Sequence, residues 1–496
     1  MRALIHSEWT KFRTVRGWVI GMAVAGFVIL GFGLLPSFQG SCGGRGPQSD
    51  CVLPVGPEGQ AVTDGFMFVH QPLTGDFSLT VRVASITGVL PPGPGQDEMR
   101  EGVAPWTKAG LLIKDGTTQG SAYAAVMLTG GHGVRMQHNF VHDTAGMAGS
   151  VNSPRWLRLT RTQQKITGEE SADGTAWTTV GTVTLAGLPS TAQVGLFVAS
   201  PQYAEVDDES SFGSFSSYGG FTIATALFDN LSRAEGWQGK RIGGPDNMDD
   251  ELGSFEETGD GSVRVTGSGD IAPAVGGPAG IGTGLTDTLV GTFAGLIFIV
   301  VIAAMFVTAE YRRGLIRTTL AASPGRGKVL AAKATVMAAV SFVVGTVAAA
   351  IVVTLGQEVL RGNGVYVHPA SFATELRIIA GTGLLLAVAA ALSVGLGALL
   401  RRGTTAVAAV IVTVVLPYLL AIAVLPPAAG DWLLRVAPAA AFALQQSLIE
   451  YPQVLNLYIP QAGYFPLPPW AGLAVLAGWA AAVLGLAAHL LRRRDA

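Results

Sequence analysis

Charge is the first thing this 496-residue chain is short of. Asp, Glu, Lys and Arg make up 13% of it, about half the share of a soluble globular protein. Cysteine is limited to Cys42 and Cys51, so any disulfide framework reduces to a single bridge. A phosphate-binding loop is also missing. Its glycines and terminal hydroxyl must converge on the phosphates as Gly-x-x-x-x-Gly-Lys-Ser/Thr. Around Gly327-Lys328 the leading position is Ala322 and the hydroxyl position is Val329. The chain is therefore expected to hydrolyse no nucleotide by itself, to carry no catalytic residues and to hold no cofactor.

Apolar residues fill the gap that charge leaves, at 49% of the chain. A membrane-crossing helix needs about 20 consecutive apolar residues. Six runs meet or approach that length: 18–35, 288–309, 334–356, 378–400, 404–425 and 470–491. None contains Asp, Glu, Lys or Arg, each of which costs about 2.5–3.5 kcal/mol at mid-bilayer. The first run is longer than the 7–15 residues of a signal-peptide core, and no clean small-x-small site follows it. The sequence predicts six spans.

The bases cluster in alternate connections: Arg2, Lys11, Arg13 and Arg16 at the start, six between Glu310 and Lys333, then Arg401 and Arg402, and finally Arg492 to Arg494. The positive-inside rule places those connections, and both termini, in the cytoplasm. Residues 37–285 then lie outside, and the stretch 36–285 carries 26 acids against 14 bases. Cys42 and Cys51 fall there, where an oxidising exterior favours a bridge between them. Residues 1–17 read as an amphipathic interfacial helix. Met1, Leu4, Ile5, Trp9, Phe12 and Val15 share its apolar face, and Lys11 and Arg13 lie off it.

Residues 64–230 change character. "DFSLTVRVASI" alternates Phe77, Leu79, Val81 and Val83, and similar short runs follow in "KAGLLIKDG", "RWLRLTR" and "QVGLFVAS". Period-two runs punctuated by Gly, Pro, Ser and Asp predict an antiparallel sandwich. Asp173-Gly174 predicts a tight turn, with Trp177 packed beneath it. In "AEVDDES", Glu205, Asp207 and Glu209 share a strand face, yet the spacing departs by one residue from that of a glucanase acid pair. A solvated loop or weak calcium site fits better. His132, His138 and His142 lack any recognised metal-ligand spacing.

Two resemblances add to this reading. "WTKAGLLIKDG", "SPRWLRLTR" and "ESADGTAWTTVG" resemble concanavalin-like jelly-roll domains such as laminin-G modules and glucanases, over about 150 residues. "SEWTKFRTVRGW", "AEYRRGLIRTTLAASPGRGKVLAAK" and "APAAAFALQQSL" resemble the permeases of type-2 ATP-binding-cassette exporters of actinobacterial type. The implied fold class is a multi-domain membrane protein: span one at 18–36, a jelly-roll sandwich at 37–285 inserted after it, and spans two to six at 286–496. Residues 426–469 are expected to be re-entrant or interfacial on the outer face.

The second resemblance also implies a role for the basic stretch. In such permeases a coupling helix in this loop, here within 310–328, docks on a separate ATPase subunit that holds ATP and Mg. Tyr311, Arg312, Arg313, Gly314, Leu315, Ile316, Arg317 and Leu320 would make that contact, supported by Trp9, Lys11, Phe12 and Arg13 of the N-terminal helix. Arginines that only set topology and touch anionic lipid are the plainer alternative. The expected partners are the ATPase, a second permease chain, the bilayer, and a cell-wall glycan or cargo at the outer domain. The expected location is the plasma membrane, with substrate export as the function. A membrane-anchored glycan-binding or sensing protein without transport is the competing expectation.

Overall fold

The structure is a computed structural model and describes residues 1–39, 52–206, 217–232, 236–243, 252–258, 261–315, 318 and 325–493. Cys42 and Cys51, and so the proposed bridge, lie outside the described residues. So do Asp207, Glu209, Ile316, Arg317 and Leu320.

Helix α1 spans Arg2–Thr14 and α2 spans Arg16–Gln39. After the strands come α3 (Gly291–Arg312), α4 (Arg326–Gly362), α5 (Phe372–Leu400), α6 (Gly403–Ala423), α7 (Pro427–Val436) and α8 (Pro469–Arg493). Six of them, α2 to α6 and α8, are long and apolar enough to cross a membrane. The six apolar runs of the sequence fall on them. At 1.5 Å per residue, the 37 residues of α4 reach about 55 Å, well beyond the roughly 30 Å hydrocarbon layer. That is more length than a crossing needs, and Lys333 lies in its third turn, ahead of the apolar run 334–356.

Pro417 breaks α6 in a specific way. Residues Ile411–Val415 form a π-helical turn just ahead of it. Proline offers no N–H and its ring crowds the carbonyl four residues back, so a wider turn relieves the clash.

The strands form two large antiparallel sheets packed face to face. One runs in the order Thr178–Thr184, Lys165–Ser171, Arg155–Thr162, Phe77–Leu90, Ile223–Asp229, Val263–Gly267 and Gly253–Glu257, with Arg100–Glu101 alongside Phe77–Leu90. The other runs Gln238–Ile242, Phe66–Thr74, Thr191–Ala199, Lys108–Lys114, Tyr123–Thr129, Val134–His138 and His142–Ala145. Leu79, Val81, Leu157 and Leu159 of the first meet Val69, Leu111, Ile113 and Val194 of the second.

The second sheet is buried on its other face too. Phe66, Phe68, Leu112, Tyr123 and Phe197 lie under the short ladder of Val62–Asp64 with Ile271–Pro273. This is why Lys108–Lys114 is buried at every position where the sequence predicted alternation. The two lysines ending that strand fasten the cover. Lys108 Nζ donates to Asp270 Oδ1 at 2.6 Å and Lys114 Nζ to Asp64 Oδ2 at 2.8 Å. Burial pushes Asp64 up and Lys114 down from their ordinary values, against their mutual attraction.

The cover leads to the helices. Gly276 O accepts from Asn456 Nδ2 at 2.8 Å and Tyr464 Oη at 2.9 Å, and Gln453 Nε2 donates to Val141 O at 2.7 Å. The strand-rich region therefore stands on the segment between α7 and α8.

Candidate functional site at the charged end of the bundle

The opposite end of the bundle gathers α1, the end of α3, the start of α4 and the link between α5 and α6. Helix α1 packs only part of its apolar face against the bundle. Its buried residues are Glu8 and Phe12, with Ile5 packed alongside, while Trp9 is 42% exposed. Phe12 is seated by an edge contact with Phe306 of α3 at 6.4 Å between centroids, and Trp9 stacks on Phe12 at 5.8 Å.

Glu8 is buried because it is paired. Lys333 Nζ donates to Glu8 Oε2 at 2.7 Å and to Glu310 Oε1 at 2.6 Å. Lys11 Nζ donates to Glu8 Oε1 at 2.8 Å and to the same Glu310 oxygen at 3.0 Å. Two acids and two bases balance, as buried ions must. The Lys333 ammonium also lies 5.3 Å from the Phe306 ring centroid. Three elements, α1, α3 and α4, thus meet at one ionic knot, and the last two flank the basic loop. Sequence reasoning passed over Glu8, Glu310 and Lys333. A signal was there: Glu8 shares the helical face of Ile5 and Phe12, where an acid needs a partner.

The candidate contact residues distribute unevenly. Tyr311 is half-buried, with the Arg401 guanidinium 5.5 Å from its ring centroid. Arg312, Arg313, Gly314 and Leu315 are exposed, Leu315 at 49%. Gly314 ends α3 in the left-handed region at φ +69°, as a residue after a helix C-terminus commonly does. Its N–H donates to Tyr311 O at 3.2 Å. Lys11 and Phe12 join the knot and its aromatic flank, whereas Arg13 is exposed.

At its other end α3 is tied again. Gln445, within the segment expected to be re-entrant or interfacial, is 3% exposed. Its Nε2 donates to Thr292 Oγ1 of α3 at 3.1 Å and Thr382 Oγ1 of α5 at 3.0 Å. It closes a buried 3₁₀ segment, Pro438–Gln445.

Among the described residues no group of three His, Cys, Asp or Glu is placed to hold a metal. His142 Nε2 sits 2.6 Å from Glu58, His138 stacks on His142 at 4.4 Å, and His132 stacks on Trp106 at 4.1 Å. Glu205 accepts from Tyr218 Oη at 2.7 Å and lies 3.5 Å from Arg100. Asp173 accepts the N–H groups of Thr175 and Ala176 at 2.8 and 2.9 Å, which hold its carboxyl well below the usual range. Trp156, rather than Trp177, lies against Gly174 in that turn. Trp177 instead stacks under Arg158 at 4.1 Å.

Comparison with known proteins bears on the helices more than on the sheets. The model of the ABC-2 family transporter protein family matches residues 155–496, more than half of the chain. No curated protein matches it. Among solved structures, a functionally unknown protein from Saccharomyces cerevisiae is 14% identical, over 39% of this chain and 84% of that one, at a TM-score of 0.20. Scytalido-glutamic peptidase, solved with a peptide-based transition state analog, is 10% identical over 41% and 98%, at 0.24. Neither likeness carries an argument at such scores. The family match does: this chain belongs to the ABC-2 transporter family, and the matched residues take in five of its six apolar helices, α3 to α6 and α8, which supports an ABC transporter permease.

Proposed function

We propose that the chain is the transmembrane permease subunit of an exporter in the plasma membrane, driven by a separate cytoplasmic ATPase subunit that holds ATP and Mg. A second permease chain, identical or related, completes the pathway. The segment 310–328 is the docking contact, with Tyr311, Arg312, Arg313, Gly314, Leu315, Ile316, Arg317 and Leu320 facing the ATPase and Trp9 and Arg13 of α1 at its margin. The sandwich, of jelly-roll type and inserted between spans one and two, stands outside the cell and receives cargo or cell-wall glycan.

The observation that carries this reading is the knot of Glu8, Lys11, Glu310 and Lys333. A topology signal alone requires exposed bases, not two lysines held against two buried acids across three helices. The knot gives the basic loop a mechanical role. A displacement between residues 313 and 325 enters α3 and α4 together and drags α1 with them, because Glu310 and Lys333 bracket the loop. Helix α3, about 33 Å long at 1.5 Å per residue and bonded at both ends, transmits that displacement to the buried 3₁₀ segment packed among the spans.

The test is Leu315→Asp, which places a charge on an exposed apolar residue without touching the knot. Co-purification with the ATPase subunit should fall about tenfold, a loss of about 1.4 kcal/mol, with ATP turnover uncoupled from the permease. Undiminished association and turnover would overturn the docking assignment and favour a sensing or glycan-binding role without transport.

A further inference from the structure

We infer that the chain carries a site for an anionic phospholipid, in the groove between α3 and α6 at the charged end of the bundle. The groove has a volume of about 1030 Å³, at the upper limit of ordinary small-ligand pockets. Its walls are apolar, from Val301 and Met305 of α3 and Val407 of α6. Its mouth is basic, from Arg312, Arg401 and Arg402, and among the described residues no acid lines it. The nearby Glu310 is turned into the ionic knot and engaged by both lysines.

Charge and polarity are therefore ordered along one axis, as they are in an amphiphile with an anionic head. The apolar walls lie within membrane-crossing helices, so the tail end of the groove opens where acyl chains are already present. Three guanidiniums suit a phosphate, which arginine binds through paired N–H donors. Arg401 has capacity to spare. Its Nε is buried without a hydrogen-bond partner, although its guanidinium carbon lies 5.5 Å from the Tyr311 ring centroid. The start of α6 adds to the positive potential, because Arg402 occupies its N-cap position and no side chain caps it, leaving backbone N–H groups to face an anion.

A bound headgroup would bridge the end of α3 to the start of α6, across the Arg401 turn. That connection lies beside the knot, so lipid occupancy would brace the face from which the basic loop departs. The inference depends on membrane embedding and not on transport or on an ATPase partner.

The experiment is native mass spectrometry of the purified full chain, supplied with phosphatidylglycerol or phosphatidylcholine of matched acyl chains. Phosphatidylglycerol should be retained at least fivefold more. In the double variant Arg401→Gln, Arg402→Gln that preference should fall close to unity. Ala408→Trp, which fills the groove without altering charge, should lower phosphatidylglycerol retention in a chain whose melting temperature is unchanged. Free sn-glycerol 3-phosphate should not compete at equal concentration. Equal retention of the two lipids by the wild-type chain would overturn the proposal. So would an unaltered preference in both variants, or displacement by glycerol phosphate, which would show a site for a soluble anion.

Discussion

A single lysine shows how much of this protein depends on balance. Lys333 is 2% exposed and serves two carboxylates, so removing its charge leaves two acids with Lys11 alone. Breaking a buried ion pair from one side costs about 3–5 kcal/mol, mainly because the remaining charge is stranded. Lys333→Met, which keeps much of the side-chain volume, should therefore lower the melting temperature of the purified chain markedly and free α1 to protease. A variant that melts with the wild type would mean the knot is not buried in the working protein. Lys114 and Asp64 follow the same logic in the strand-rich region, where both side chains are fully buried. Apart from Lys11 with Glu8, three residues apart on one helix, these partnerships were not legible from sequence spacing. Lys11 and Glu310 are 299 positions apart and Lys333 and Glu8 are 325 apart, and opposite charges at the margins of apolar runs have many possible partners.

Elements were easier to foresee than their contacts. A bilayer demands an unbroken apolar run, which made the six helices plain, and period-two alternation marked strands such as Phe77–Leu90. Lys108–Lys114 concealed its pattern because the ladder at Val62–Asp64 covers its second face. Helix packing also left a trace in the glycines. A Cβ on Gly291 would lie 2.2 Å from Ile29 O and 2.7 Å from Gly33 N, so α2 and α3 touch backbone to backbone there. Small residues at such crossings are what allow membrane helices to approach closely. Gly291→Val should separate the pair, since a backbone oxygen cannot swing aside, with a cost of about 1–3 kcal/mol for overpacking. Gly17→Ala should cost nothing, because that Cβ would meet no atom within 4 Å, and helix propensity favours alanine by about 1 kcal/mol. Crosslinking between cysteines placed on α2 and α3 reads the difference. Equal yields for the two variants would contradict the close crossing.

At the scale of the whole molecule the chain is polarised. The strand-rich region rests on the segment between α7 and α8, and the ionic knot with its arginines occupies the other end. Sequence indicated that polarity through its alternation of basic and acid-rich connections. It could not indicate that α1 is bolted to the bundle instead of lying free on a lipid surface, because that requires the Glu8 partnership. The proposed mechanism needs the arginine end to face the cytoplasm, where an ATPase can reach it. The most direct measurement is labelling of intact cells with a membrane-impermeant thiol reagent, in a chain with Cys42 and Cys51 changed to serine. A cysteine introduced at Thr175 should react in intact cells, and one at Arg313 only after the membrane is opened. Reaction at Arg313 in intact cells, with Thr175 protected, would contradict the account.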